Sequence, residues 1–147
     1  MSYVSNICIT KESGEKMQEI NSVEVIANKG IVSDRYFKED NDKDIQITLI
    51  QSENVDYYNQ ISGTNFSPTD FRRNIITKGI SLNELVGKEI LVGKVKMKAH
   101  RLCDPCRYLQ ELLVQKNLVK KLLNRGGLRC ELLNDGFINV NDVITIL

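Results

Sequence analysis

Apolar and polar residues alternate with a period of two in short segments along much of the chain. That period is typical of β-strands, and the many β-branched residues in the same segments support the prediction of strands. The strands that we predict cover residues 3–9, 17–26, 45–50, 71–77, 88–92 and 94–99, and the tail after residue 127 carries further short strands. About seven or eight short strands with few helices predict a mainly β fold, a closed, mixed β-barrel.

Three segments carry helical signals. Ser52 lies where an N-cap would start a short helix through Tyr58, and residues 81–87 resemble a single helical turn closed by glycine. Asp104-Pro105 is a helix entry, because aspartate caps free amides and proline is tolerated in the first turn. Leucines at three- and four-residue spacing then predict one bent helix or two short ones ending at Asn124.

Length and composition are those of one globular domain with one core, residues 1–147. The chain has 147 residues, 41% of them hydrophobic and 27% charged, a size that folds without a disulfide or metal staple. Apolar runs are too short to cross a bilayer, and the N-terminus lacks the features of a signal peptide. We therefore expect a cytoplasmic protein with no membrane partner.

The balance of charge argues against nucleic acid as a partner. The chain carries 20 lysines and arginines against 19 acidic residues. Such a chain lacks the basic excess on which nonspecific nucleic-acid binding depends.

Two of the four cysteines form a C-x-x-C pair, Cys103 and Cys106. In a reducing compartment these thiols should stay free, which directs attention to metal, redox or nucleophilic chemistry. Cys106 falls in the first turn of the predicted helix, where free amides, the helix dipole and the adjacent Arg107 favour a thiolate. Such a thiolate could attack a sulfane sulfur, attack a disulfide, or bind a soft metal.

Plainer interpretations of the cysteines stay open. Cys8 and Cys130 lie at alternating positions of predicted strands and are expected in the core, and Cys103 could be buried as well. A zinc site would need the only histidine together with three of the cysteines, although only one closely spaced ligand pair is present. That ligand set is His100, Cys103, Cys106 and Cys130.

Arginines near loops and strand ends are candidates for binding a phosphate, because the planar guanidinium group suits bidentate contacts. Seven arginines meet this description, including Arg125 and Arg129, and the five taken as candidate binding residues are Arg35, Arg72, Arg73, Arg101 and Arg107. Asp34 and Asn74 lie in the same loop or strand regions and could orient them.

Several segments, taken in order, resemble the MOSC domain, which is named for the C-terminal part of molybdenum cofactor sulfurase. The matching segments are Gly30-Ile-Val-Ser-Asp-Arg35, Gln46 to Gln51, Phe71-Arg-Arg-Asn-Ile-Ile-Thr-Lys-Gly-Ile80, Leu85 to Lys88, Arg101-Leu-Cys-Asp-Pro-Cys106 and Gly136 to Asp142. The resemblance implies a β-barrel whose hallmark cysteine, here Cys106, carries sulfur as a persulfide or contacts the molybdenum of a pterin cofactor. It also implies that Asp34, Arg35, Arg73 and Asn74 are the family's polar loop positions.

Two positions depart from the family's first motif, which commonly reads G-[IL]-x-G-D-[RK]-H. Ser33 replaces the second glycine, and Tyr36 replaces the histidine. Tyr36 could therefore supply a phenolic donor where the family has an imidazole.

The resemblance implies a sulfur carrier that works with separate proteins. A cysteine desulfurase would load a persulfide on Cys106, which would deliver sulfur to a molybdenum cofactor or another metal-sulfur centre. Cys103 could resolve or protect the persulfide, and arginines would bind the cofactor's phosphate. The chain has no room for a pyridoxal-phosphate domain, so we expect no pyridoxal phosphate to be bound. The alternatives are a cofactor-binding module in which Cys106 ligates molybdenum, and a structural zinc or scaffold domain.

Overall fold

The computed structural model describes all residues from 1 to 147 as a β-rich chain with three short α-helices. The strands are β1 Tyr3–Ile9, β2 Gln18–Ile20, β3 Ser22–Ile26, β4 Gly30–Ile31, β5 Ile47–Gln51, β6 Ile75–Lys78, β7 Glu89–Val92, β8 Val95–Leu102, β9 Leu128–Leu132, β10 Gly136–Asn139 and β11 Ile144–Ile146. The helices are α1 Ser52–Ser62, α2 Arg107–Leu112 and α3 Leu118–Lys121, with 3-10 helices at Pro68–Phe71 and Leu82–Leu85. The predicted mainly β fold with few helices is confirmed. No helix combines the length and apolar character needed to span a lipid bilayer.

Eight strands form one sheet in the order β11-β7-β8-β9-β5-β6-β1-β2, and β10-β3-β4 form a second sheet. Neighbouring strands are antiparallel except β5 and β6, which run parallel. The expected pairing of the two strands that flank Gly93 is present, with Val92 opposite Val95.

The larger sheet is a half-barrel that remains open, so the expected closed barrel is not confirmed. Its end strands, β2 and β11, have three residues each and do not pair with one another. The nearest approach to closure is an isolated bridge between Tyr3 and Val143. A strand count predicts the amount of sheet, whereas closure depends on whether the end strands are long enough to form a ladder.

Two predicted strands differ from the observed ones. The segment 17–26 forms two strands in different sheets, because the chain leaves the larger sheet at Asn21. The segment 71–77 becomes a strand only at Ile75, since a 3-10 helix occupies Pro68–Phe71. Ser67 begins that helix with a reciprocal capping box, which fixes the chain before the strand.

Apolar residues pack on both faces of the central strands. On the inner face, Leu49 and Ile75 belong to a cluster that fills the half-barrel. On the outer face, Ile50 and Ile76 pack with Leu109 beneath the helices. Strands β5 and β6 are therefore buried on both sides, which gives the segments around them a rigid support.

Candidate functional site

Cys106 lies at the N-terminus of α2 with its thiol exposed to solvent. Its Sγ atom accepts a hydrogen bond from the backbone N–H of Leu109, at 3.4 Å. The prediction that Asp104 caps this helix is therefore wrong, because the helix begins at Arg107 and Cys106 itself is the N-cap. Capping by Cys106 fixes its sulfur in a position open to an incoming partner.

The other three cysteines are buried. Cys103 is 1% exposed, and its backbone N–H donates to the carbonyl of Gly127 at 2.7 Å. Burial raises the pKa of the Cys8 thiol to about 12, and burial also raises the pKa of Cys130. A raised pKa disfavours the reactive thiolate, so the expected core placement of Cys8 and Cys130 is accompanied by low reactivity.

An open cleft of about 430 Å³ lies beside Cys106, which is one of its lining residues. Arg35, Arg72 and Arg73 line the same cleft, and they come from the loop after β4 and from the segment before β6. The structure thus brings three of the five predicted binding arginines together with the predicted nucleophile.

Arg35 is held in place by several contacts within the chain. Its Nη1 lies 3.3 Å from Asp34 Oδ1, and its Nη2 donates to the carbonyl of Arg72 at 3.2 Å. Its guanidinium also lies over the Tyr36 ring, 4.5 Å from the ring centroid. Asp34 is buried and accepts the N–H of Thr10, which fixes the carboxylate that orients Arg35. Asp34 therefore acts on the cleft through Arg35.

The side chains of Arg72 and Arg73 contact different parts of the chain. Arg72 has left-handed backbone, with φ 64°, and its Nη1 donates to the carbonyl of Glu15 at 2.6 Å. Arg73 donates through Nε to the carbonyl of Gly126 at 2.8 Å and through Nη2 to that of Asp104 at 3.2 Å. Arg73 thus ties the segment before β6 to the loop that carries Cys106.

Asn74 is placed inside the fold and does not line the cleft. Its Oδ1 accepts from the backbone N–H and the hydroxyl of Thr48, and its Nδ2 donates to the carbonyl of Cys8. These contacts join β5 to β1 next to the arginines. The structure therefore assigns Asn74 to the support of the site.

Arg101 and Arg107, which adjoin the two cysteines in sequence, also lie outside the cleft lining. The Nε of Arg101 donates to Asp44 at 2.8 Å, and this hydrogen bond lowers the pKa of Asp44. Arg107 is exposed and lies 4.0 Å from Glu111. Their part in cofactor binding stays a prediction.

The ligand set considered for zinc is not brought together. His100 Nε2 lies 2.8 Å from Glu131 Oε1, while Cys130 lies in the inner core. The structure contains no group of three or more His, Cys, Asp or Glu side chains that could hold a metal ion.

The sequence did not indicate several residues that shape the cleft. Ser13, Gly14, Phe71, Tyr108 and Leu109 line it alongside Tyr36. Tyr108 and Leu109 lie two and three positions after Cys106, so proximity to the cysteine in sequence was the available signal. Nothing in their spacing connects Ser13 and Gly14 with a cysteine more than ninety residues away.

The fold and the site together define a small β-rich domain in which one exposed cysteine lies beside an arginine-lined cleft. The chain belongs to the MOSC domain family, whose sequence model matches residues 34–145. No curated protein sequence matches the chain.

Solved structures with the same fold come from several bacteria. YuaD from Bacillus subtilis has a TM-score of 0.85 and 18% identity, over 99% of this chain and 96% of that one. YiiM from Geobacillus stearothermophilus has a TM-score of 0.82 and 16% identity, over 100% of this chain and 75% of that one. YiiM from Escherichia coli has a TM-score of 0.76 and 14% identity, over 100% and 70% of the two chains. Identities this low establish the fold alone.

Proposed function

We propose that this protein is a sulfur carrier that accepts a persulfide sulfur from a cysteine desulfurase on Cys106. The observation that carries the proposal is the contrast among the four thiols, of which only Cys106 is exposed. A carrier needs one thiol that two different proteins can reach in turn, and buried thiols meet neither requirement.

The loading step is a transfer of sulfane sulfur between two thiols. The Cys106 thiolate attacks the outer sulfur of the desulfurase persulfide. A sulfur-sulfur bond forms on Cys106, the sulfur-sulfur bond of the donor breaks, and the desulfurase cysteine leaves as a thiolate. The transfer is balanced and needs no external oxidant or reductant.

The cleft fits the phosphate-bearing acceptor expected for the family, a molybdenum cofactor. Its volume of about 430 Å³ lies within the range of small-molecule sites, and the guanidinium groups offer planar donors for a phosphate. The guanidinium group of Arg72 makes one hydrogen bond within the chain, through Nη1, so its Nε and Nη2 remain for a ligand. We assign phosphate binding to Arg72 with Arg35 and Arg73 beside it.

A second candidate function is a cofactor-binding module in which Cys106 ligates molybdenum. The observation that favours it is the placement of Cys106 in the wall of the cleft, where a bound cofactor and the sulfur would be neighbours. Thiolate is a suitable ligand for a soft metal centre.

Sulfur delivery to a sulfur-depleted molybdoenzyme, in the presence of a desulfurase and cysteine, tests the first proposal. The wild-type protein and Cys103→Ser should restore the acceptor's activity, because Cys103 is buried, whereas Cys106→Ser should restore none. Full delivery by Cys106→Ser would disprove the carrier proposal.

Metal and pterin analysis of protein purified from its native host separates the two functions. A carrier should contain far less than one molybdenum per chain. Stoichiometric molybdenum and pterin that are lost in Cys106→Ser would instead establish the binding module.

A further inference from the structure

A second polar cavity lies away from the cysteine cleft, at the N-terminal end of α1. Its volume is about 400 Å³, and six of its seven lining residues are polar. It shares no lining residue with the cleft beside Cys106, and no carboxylate lines it. Gln51, Asn54 and Arg125 provide the groups that matter for its chemistry.

Asn54 presents an unused hydrogen-bond donor at this cavity. Its Oδ1 accepts from Arg125 Nη1 at 3.2 Å. A guanidinium only donates, so the atom that faces Arg125 must be the amide oxygen, and the amide nitrogen must lie on the other side. That nitrogen donates to no group in the chain, although Asn54 is only 8% exposed. The nitrogen is not itself fully buried, so it is open to a ligand from the cavity.

Gln51 adds a second unused donor by the same logic. Its Oε1 accepts the backbone N–H of Leu82 at 3.0 Å, which directs the amide nitrogen away from Leu82. Gln51 is also the residue before the 11-residue helix α1, and its side chain does not cap that helix. The first turn of α1 therefore contributes the positive end of a helix dipole at the same cavity.

Arg125 supplies a full positive charge that no acid neutralises. Its guanidinium stacks on the Tyr57 ring, 3.8 Å from the ring centroid, and it forms no ion pair in the structure. The nearest acid of the helix, Glu53, accepts the N–H of Gly79 and does not line the cavity. Stacking on Tyr57 and bonding to Asn54 hold Arg125 in one orientation before any ligand arrives.

We propose that this cavity binds a tetrahedral oxyanion, a phosphate group, through Arg125 and the side-chain amides of Asn54 and Gln51. Gln51, Asn54 and Arg125 line the same cavity, each has a side-chain donor without a partner in the chain, and the only charged lining residue is positive. Phosphate oxygens accept several such bonds at once, and a carboxylate with two oxygens uses fewer of them.

An NMR titration of the full chain with inorganic phosphate, at constant ionic strength, tests this site. The side-chain amide signals of Asn54 and Gln51 and the Nε–H signal of Arg125 should shift and saturate. Arg125→Gln should weaken binding about tenfold or more, since it removes a charge-assisted bond. Lys94→Gln, which removes the same charge at the turn between β7 and β8, should leave binding unchanged.

A parallel titration with acetate distinguishes a phosphate site from a carboxylate site. Acetate should bind at least about tenfold more weakly than phosphate, because it accepts fewer of the available bonds. Equal or tighter binding of acetate would overturn the assignment. Shifts that fail to saturate, or that are the same in Arg125→Gln, would overturn the site itself. Arg125→Gln should still accept sulfur on Cys106, so this test is independent of the carrier proposal.

Discussion

Two residues close in sequence to the predicted site positions, Ser33 and Arg72, have left-handed backbone, and Arg72 lines the cleft. Ser33 has φ 73° and Arg72 has φ 64°, values that residues other than glycine and asparagine seldom adopt. The Arg72 side chain lines the cleft, which accounts for an arginine at a backbone conformation that destabilises residues with a side chain. Ser33 is exposed and makes no side-chain hydrogen bond, and the family's motif has glycine at this position.

Ser33→Gly should therefore stabilise the fold. Removing the left-handed penalty gains about 1–2 kcal/mol, and the added freedom of the unfolded chain costs about 0.5–1 kcal/mol, so the net gain is about 1 kcal/mol. Urea unfolding of the two proteins measures this difference. Ser33→Ala keeps the penalty and should show no gain. A loss of stability in Ser33→Gly would contradict the backbone argument.

Among the structural elements, the loop between β8 and α2 decides where Cys106 lies. Gly126 passes so close to this loop that a Cβ on it would overlap the Cys103 carbonyl oxygen and the Pro105 ring. The Arg73 guanidinium also links Gly126 to this loop, because it donates hydrogen bonds to the carbonyls of Gly126 and Asp104. Close backbone packing and one guanidinium therefore fix the exposed thiol.

Gly126→Ala should displace this loop. The overlap is with backbone atoms, so the fold should lose about 1–3 kcal/mol, and sulfur loading of Cys106 should slow. Gly63→Ala serves as the control, because nothing lies within 4 Å of its added Cβ. Its only destabilising effect is the left-handed backbone, φ 64°, that alanine must adopt there. Urea unfolding and the rate of Cys106 alkylation measure both effects. Left-handed backbone alone costs Gly63→Ala about 1–2 kcal/mol, so the Cys106 alkylation rate is the discriminating measurement. That rate should change in Gly126→Ala and not in Gly63→Ala, and an equal rate in both would contradict the proposed packing.

The sequence predicted most elements but not their exact ends. Alternation located β1 and β8, β-branched residues located β5, and the turn at Gly93 located β7. Leucine spacing located α2 and α3, one of the two arrangements expected for that segment. The start of α2 was missed because aspartate before proline is the commoner cap, whereas here Pro105 is buried against Gly126 and the helix begins after it.

Across the whole molecule, the candidate site is assembled from segments that are far apart in sequence. Arg35 follows β4 of the smaller sheet, Arg73 precedes β6 and Cys106 follows β8, and the fold brings these three segments together at the cleft. Arg101 and Arg107 are closer to the cysteines in sequence yet lie outside the cleft. The cysteine nucleophile was therefore predictable from local sequence. Which arginines line the cleft beside it depends on the strand order, which the sequence alone did not reveal.

The four thiols should differ sharply in reactivity in the native protein. A water-soluble disulfide reagent should modify one thiol per chain rapidly, Cys106, since it alone is exposed. The remaining three are buried, and burial raises the pKa of Cys8 to about 12 in the folded protein, so these three should react only as the protein unfolds. The absorbance of the thiolate released from the reagent gives the number of protein thiols that have reacted. Rapid modification of two or more would contradict the described burial.

The most direct test of the carrier account is to locate added sulfur by peptide mass spectrometry. The protein is incubated with a desulfurase and cysteine, alkylated and digested. The account predicts one additional sulfur atom on the peptide that contains Cys106, assigned to Cys106 by fragmentation, in both the wild type and Cys103→Ser. Absence of added sulfur on Cys106, or its accumulation on Cys103 instead, would contradict the account.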